Sequence, residues 1–439
     1  MARVDQLHLL IDGAAAGIIE RNRGRVVLTY LDVYRHDVNA TPLSISLPLG
    51  SGTHSGTALT AFLDGLLPDN EGVRARWARQ FQTSTSPFDL LAHVGEDCAG
   101  AAQFVRTERL DQIDPGGIKW LTETQVEEWI ASLRFDQTAW LPNTDHGQFS
   151  LAGAQSKFAL IRKGNRWGRP FGAVPTTHIV KPAAEGFVHH EINEHLSLAT
   201  ARHLGLRAAY SEIVTLGQER VVVVERYDRL QSGKTWRRIH QEDLCQAMAV
   251  PPARKYENQS GPTAKAIASA LRAATGSDAA VRAFADALAF SWIIGGTDAH
   301  GKNYSLLLAG SQVRLAPLYD VASALPYTPS TPMRPKPGEL DPARLKLAMS
   351  VNGEYLIREI RARDWHALGE SLGIGGDHYV ERLIDLAERT PSAVESAINE
   401  PGVQSLPSSM PTLFGTKIPN HAFRCLQTLK GRPPTGRRK

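Results

Sequence analysis

Apolar and polar positions change rhythm several times along the chain, and each change predicts an element. LHLLI (7–11) and VVLTY (26–30) are short apolar runs bounded by turns, which predicts two strands. After Pro48 the spacing becomes helical. Residues 108–145 read as a helical connection. FALIR (158–162) and THIVK (177–181) predict strands, and HHEINEHLSLATARHLGL (189–206) predicts a helix ended by Gly205 and Leu206. VVVVERYDR (221–229) is strongly β-branched and predicts a buried strand. From 240 to 295 the pattern is mostly helical, with one Pro- and Gly-punctuated loop, PPARKYENQSGP (251–262). A strand pair is expected near 304–320. PYTPSTPMRPKPGELDP (326–342) cannot form regular structure, and helices close the chain from about 361. No internal repeat or low-complexity tract interrupts this order. The pattern predicts an α+β chain, a mixed α/β half followed by a mainly helical half.

One stretch resists the pattern. GGTDAHGKNYSLLLAG (295–310) places Asp298, His300, Lys302 and Asn303 between an apolar helix, VRAFADALAFSWII (281–294), and a buried strand. Asp298 and Asn303 stand in the spacing D-x-x-x-x-N, and a further acid, Asp320, follows the strand pair. Protein kinases use this order, with an Asp to accept the hydroxyl proton, an Asn to bind Mg²⁺, and a second Asp on the metal. Phosphoryl transfer needs alignment and charge neutralisation more than covalent help. Amide and carboxylate oxygens suit hard Mg²⁺, and His300 or Lys302 could add positive charge near the phosphates. A plainer reading stands beside it: Asp298 caps a turn, Asn303 is a loop residue and Asp320 closes a hairpin. No His-Arg precedes Asp298, and Val-Ala follows Asp320 where Phe-Gly would be usual.

A kinase-like site also needs a phosphate cradle, a lysine and an adenine slot. FSLAGAQSKFAL (149–160) offers the small residues Ala152, Gly153 and Ala154 before a strand, where backbone N–H groups can approach a phosphate; a simple turn is the alternative. Lys181 ends THIVK and could reach the α/β-phosphates, and Glu194 on the next helix could pair with it; taken alone, each reads more plainly as a surface charge. The strand ending in Glu225, Arg226 and Tyr227 could pair its backbone with adenine or form a sheet edge.

Composition narrows the classes. With 439 residues and 42% hydrophobic content, two or three domains are expected. A net charge of +4 does not by itself point to nucleic acid, although the end of the chain, LKGRPPTGRRK, is basic. Three scattered cysteines without a CxxC argue against a disulfide framework and a Zn²⁺ site, and suit a reducing compartment. No signal-peptide layout and no apolar run of about 18 residues is present, so no membrane association and a cytoplasmic location are expected.

Taken together, SLAGAQSK (150–157), THIVK (177–181), NEHLSLATARHLGL (193–206), VERYDR (224–229), QEDLCQAM (241–248), KYENQSGP (255–262), GGTDAHGKN (295–303) and LYDVASALPY (318–327) resemble the HipA family of serine/threonine kinase toxins. LSISLPL (43–49), LLPDNEGVRAR (66–76) and VGEDCAGAAQF (94–104) extend the resemblance over nearly the whole chain. The resemblance implies a protein-kinase-like, two-lobed fold with an extra N-terminal α/β subdomain and a mainly helical C-terminal lobe. It implies a subdomain at 1–108, a kinase N-lobe with phosphate loop and hinge at 145–235, and a C-lobe at 236–439. ATP and Mg²⁺ would be the cofactors. Asp298 would be the base, and Asn303 and Asp320 the metal ligands. The loop residues Ala152, Gly153, Ala154, Gln155, Ser156 and Lys157, with Lys181, the strand end Glu225–Tyr227, His300 and Lys302, would contact the nucleotide. Ser150 would be autophosphorylated, after which its loop leaves. The implied partners are an aminoacyl-tRNA synthetase such as glutamyl-tRNA synthetase as substrate, and a helix-turn-helix, HipB-like antitoxin that brings operator DNA. Two other readings stay open: a kinase-shaped co-repressor acting with a DNA-binding antitoxin, and a small-molecule phosphotransferase. The Pro-rich stretch after Asp320 could be a platform for a protein substrate or a plain surface loop.

Overall fold

Period-two burial organises the beginning of the chain. In Gln6–Ile11, Leu7, Leu9 and Ile11 are buried. This strand sits in a five-stranded antiparallel sheet ordered Thr53–Ser55, Arg25–Tyr30, Ala14–Asn22, Gln6–Ile11, Ala102–Val105. Helices Thr57–Gly65, Glu71–Phe81 and Pro87–Val94 contribute Phe62, Trp77, Phe88 and Leu91 to the same core. Local signals start two of them: Asn70 accepts the N–H groups of Gly72 and Val73, and Ser86 accepts that of Asp89 with Pro87 in the first turn. This computed structural model describes residues 4–22, 24–113, 115–141, 150–184, 186–233, 235–329, 335–336 and 338–431. Part of the Pro-rich stretch and most of the basic end therefore lie outside the described residues.

A six-stranded sheet follows, ordered Ser211–Leu216, Glu219–Glu225, His178–Pro182, Phe158–Lys163, Arg166–Phe171, Gly117–Trp120. Val221, Val222, Val223 and Val224 are buried, as their β-branching predicts. The strand stops at Glu225, four residues short of the expected 229. Gly117–Trp120 corrects the expected all-helical connection at 108–145; the helix there is Glu123–Phe135, opened by a Thr122/Gln125 capping box. Arg166–Phe171 was not expected either. Its sequence, RWGRPF, lacks alternation, and Arg166 lies 4.3 Å over the Trp120 ring and Arg169 5.0 Å over that of Trp129, so the arginines cover aromatic surface. Gly168 is required, because a Cβ there would come 2.4 Å from the Ile118 side chain.

The chain forms two compact units. Met1–Pro182, Val214–Lys255 and Ser305–Ala316 make the first; Ala183–Ile213, Tyr256–Tyr304 and Pro317–Lys439 make the second. These divisions do not follow the expected boundaries at 108, 145 and 236. Strand His240–Asp243, expected to be helical, pairs with the hairpin Ser305–Ala309/Gln312–Leu315, and Glu242 accepts hydrogen bonds from the Ser44 hydroxyl and the Ile45 N–H. Strand pairing and buried polar contacts, not chain order, assign them to the first unit.

The second unit is mainly helical; no periodicity announced its hairpin Lys346–Val351/Glu354–Leu356. Its helices include His190–His203, Ala264–Thr275, Asp278–Ile294, Ala362–Leu372, Gly376–Ile398 and Met410–Leu429. In its core Trp292 meets Trp365 at 5.3 Å with tilted planes, and Trp365 meets Tyr379 edge-to-face at 5.7 Å. Among the described residues, no helix is long and apolar enough to cross a membrane. The fold is α+β, with the larger sheets in the first unit and most of the long helices in the second.

Candidate active site

In the second unit, helix Asp278–Ile294 carries the apolar side chains that run into the core. Gly295 ends it at φ 66°, and the Gly296 N–H returns 2.7 Å to the Ser291 carbonyl. A Cβ on Gly295 would also stand 2.6 Å from Leu325, so glycine is required twice over. The chain then lifts Asp298 into solvent, its side chain 66% exposed. The Asp298 carbonyl accepts the His300 N–H at 2.8 Å and the Asn303 Nδ2 at 2.7 Å. Its carboxylate Oδ1 accepts the Tyr256 hydroxyl at 2.7 Å. Because the amide nitrogen of Asn303 faces a carbonyl, its Oδ1 is the opposite end, an oxygen donor of the kind a hard divalent cation takes. His300 and Lys302 are buried; the Tyr256 ring meets His300 edge-to-face at 4.9 Å, and the Lys302 carbonyl accepts the Tyr319 hydroxyl at 2.6 Å.

Asp320 sits on the same frame. Its φ is 58°, a left-handed conformation that costs most residues strain but that Asp tolerates. On one side, Leu318 exchanges backbone hydrogen bonds with Arg207 and Ala209, both at 2.8 Å. On the other, buried Asn193 grips Ser323 at both ends, donating to its carbonyl at 2.7 Å and accepting its N–H at 3.0 Å. The Ser323 hydroxyl donates to the Ile294 carbonyl and Ala324 N–H to that of Gly295. The segment that follows Asp320 is thus stitched to the helix end that launches Asp298. An amide oxygen and a carboxylate fit Mg²⁺, which keeps waters and substrate phosphates for its remaining positions. Among the described residues there is no cluster of three or more His, Cys, Asp or Glu that could hold a metal.

The expected phosphate loop lies in the first unit. Ser150 is 0% exposed; its hydroxyl donates to the Leu66 carbonyl at 2.8 Å and its N–H to that of Asp97 at 3.1 Å. Gly153 has φ 102°, and its carbonyl accepts the Asp69 N–H at 2.9 Å. Ala154 is exposed, Ala152 and Gly153 half-buried. Lys157 donates to the Ala152 carbonyl at 2.8 Å, Ser156 to Gln137 and Gln155 to Pro182, so these three side chains hold the loop's shape. Lys181 is buried on His178–Pro182, opposite Val222.

At the strand end, the groups of Arg226 are taken up within the protein. Glu225 is exposed, but the Arg226 N–H already donates to the Thr177 carbonyl at 2.9 Å and its guanidinium is buried among Asp228, Thr176 and the Cys98 carbonyl. The Tyr227 hydroxyl bonds Ser305. Neither the Arg226 side chain nor its N–H is left for a nucleotide. Arg226 belongs to a buried network in which Arg229 holds Asp97 at 2.9 Å and Asp228 at 2.9 Å. Burial alone would raise the Asp97 carboxyl; Arg229, Arg226 and Arg238 outweigh it and hold it well below the usual carboxylate range. The sequence reading gave no role to Tyr256, Asn193, Ser323 or Tyr319. Each is a polar residue within an otherwise apolar or turn-rich motif, which was the available signal.

Residues 149–397 match the family model of the HipA-like C-terminal domain, and residues 7–105 that of the HipA N-terminal domain. The Y4mE protein of Sinorhizobium fredii is 31% identical over 401 residues, covering 90% of this chain and 92% of its own. The serine/threonine-protein kinase toxin HipA of Shewanella oneidensis is 29% identical over 377 residues, 81% of each chain. The solved Shewanella oneidensis MR-1 structure of HipA with HipB and operator DNA aligns with a TM-score of 0.81 at 25% identity, over 97% of this chain and 98% of that one. With both family domains in order and a kinase-like fold around them, this chain belongs to the HipA family and is a serine/threonine protein kinase of the toxin–antitoxin type.

Proposed function

We propose that this chain transfers the γ-phosphoryl group of ATP to a serine or threonine hydroxyl of an aminoacyl-tRNA synthetase, such as glutamyl-tRNA synthetase, and so inhibits translation and promotes dormancy. The observation that carries the reaction is the exposed Asp298 carboxylate, on a loop where the Asn303 Nδ2 is spent on the Asp298 carbonyl and leaves the amide oxygen as a donor for a metal. In this reading Asp298 takes the hydroxyl proton, and Asn303 and Asp320 hold Mg²⁺, which neutralises charge on the phosphates. Lys181 and the N–H groups around Gly153 contact the nucleotide. The synthetase target rests on the family resemblance. A HipB-like, helix-turn-helix antitoxin would hold the kinase and bring it to operator DNA; the complex formed by the Shewanella oneidensis relative supports this. The three cysteines are free and buried, which suits the cytoplasm.

Self-inactivation at Ser150 belongs to the same proposal. A phosphate there adds about −1.5 to −2 charges and competes for the N–H donors that ATP needs. Because the hydroxyl is buried against Leu66, the loop must open before the phosphate can be received. The test is to incubate the full chain with radiolabelled ATP and Mg²⁺ in a translation-competent lysate and identify the labelled proteins by mass spectrometry. A labelled synthetase together with label on Ser150 is the expected result. Label on neither, in an active preparation, would overturn the substrate and self-inactivation proposals.

A further inference from the structure

A carboxylate that rotates freely presents either oxygen to an incoming hydroxyl, and a general base works best when one oxygen is aimed. The backbone of Asp298 is fixed without help from Tyr256, since the His300 N–H and the Asn303 amide both bind its carbonyl. The Tyr256 hydroxyl acts on something else: it donates to carboxylate oxygen Oδ1 at 2.7 Å. Among the described residues no hydrogen bond reaches Oδ2, and His300 Nε2 stands 4.0 Å from Oδ1.

The phenol itself stands on a rigid support. The Tyr256 carbonyl accepts the N–H groups of Gln259 at 3.0 Å and Gly261 at 2.9 Å. The next residue, Glu257, accepts the N–H and the hydroxyl of Ser350. The Tyr256 ring meets His300 edge-to-face, with planes 84° apart, and His300 is buried. This is how a positioning group is built: its own backbone is locked, so its hydroxyl cannot follow the carboxylate if that rotates.

We infer that Tyr256 is the positioning residue of the phosphotransfer base, holding Oδ1 of Asp298 so that Oδ2 is the oxygen that accepts the substrate proton; this rests on the reading of Asp298 as that base. The step balances without a further reagent. The hydroxyl O–H bond breaks and its proton goes to Oδ2, a bond forms between the hydroxyl oxygen and the γ-phosphorus, and the bond from the γ-phosphorus to the β,γ-bridging oxygen breaks as ADP leaves. Tyr256 keeps its proton throughout and contacts neither substrate nor nucleotide in this role.

The full chain is compared as wild type, Tyr256→Phe, Asp298→Asn and the double variant, with radiolabelled ATP and total bacterial lysate protein as acceptor. Tyr256→Phe should lower the rate at saturating ATP about ten- to hundredfold and leave the KM for ATP and the melting temperature at their wild-type values. Added to Asp298→Asn, it should cost less than about twofold, because the oxygen it aims no longer acts as a base. A wild-type rate for Tyr256→Phe beside an inactive Asp298→Asn overturns this inference alone. Equal losses in both backgrounds, a raised KM or a lowered melting temperature overturn it too, since they mark a structural residue. A wild-type rate for Asp298→Asn overturns the reading of the base, and this inference with it.

Discussion

Two groups of carboxylates in this chain are treated in opposite ways. Asp97 and Asp228, in the first unit, are buried with Arg226 and Arg229, and Thr176 and the Gly100 N–H take further oxygens. Asp298, in the second unit, stands in solvent with one oxygen held by Tyr256. Deep burial makes ion pairs indispensable once formed, because removing one partner strands the other's charge. It also removes them from chemistry, since no oxygen is left to accept a proton. The lesson is that a heavily charged motif such as VERYDR can be spent on structure, whereas an acid with one oxygen left in solvent is the one the proposed mechanism can use.

The largest expected effect tests the reactive side. Asp320→Asn keeps a residue type that tolerates φ near 58° but removes the charge. Phosphate transfer should fall by at least about 10²-fold while the melting temperature stays near wild type. The structural side should break in the opposite sense. Asp228→Ala leaves Arg226 and Arg229 buried without one of their carboxylates and should cost about 3–5 kcal/mol of stability in denaturant unfolding, with the rate per folded molecule retained. Next in size is ligand linkage: at about 100 times its Kd, MgATP should stabilise the chain by about 2.7 kcal/mol, and Asp320→Asn should shrink that shift.

The smallest effect concerns pH. Burial pushes the Glu242 carboxyl up to about 8, against hydrogen bonds from Ile45 and Ser44 that favour its charged form. The folded chain then keeps a proton that the unfolded chain loses near 4.5, so stability falls as pH rises between those values. Burial pushes His178, His240 and His421 down to about 4, which gives the reverse slope below about 6.5. Between pH 6.5 and 8 the Glu242 slope is the one to read. Glu242→Gln should flatten it in chemical denaturation curves; an unchanged slope would show that the carboxyl titrates normally.

The elements legible in the sequence were those whose stability comes from apolar periodicity. Helix Asp278–Ile294 and the valine-rich strand were visible because each carries a continuous apolar run, buried over consecutive residues. Strand His240–Asp243 was not, because HQED is buried through specific hydrogen bonds that leave no periodic trace: His240 to Leu43 and Glu242 to Ser44 and Ile45. Arg166–Phe171 hid for a related reason, its arginines lying on Trp rings. In the candidate site, spacing singled out Asp298, Asn303 and Asp320, and the roles proposed for them rest on the family resemblance. Tyr256 and Asn193 were not singled out, because their roles depend on contacts with residues 42 and 130 positions away. The buried pairing of Arg226 was not legible, since a charged strand end looks alike whether it faces a ligand or a buried counter-charge.

The most direct test of the kinase account is the initial rate of phosphate transfer from ATP to lysate protein by wild type and Asp298→Asn, with melting curves taken on the same samples. A loss of about 10²–10⁴-fold at an unchanged melting temperature is the predicted result. A folded Asp298→Asn protein that transfers phosphate at the wild-type rate would contradict the account.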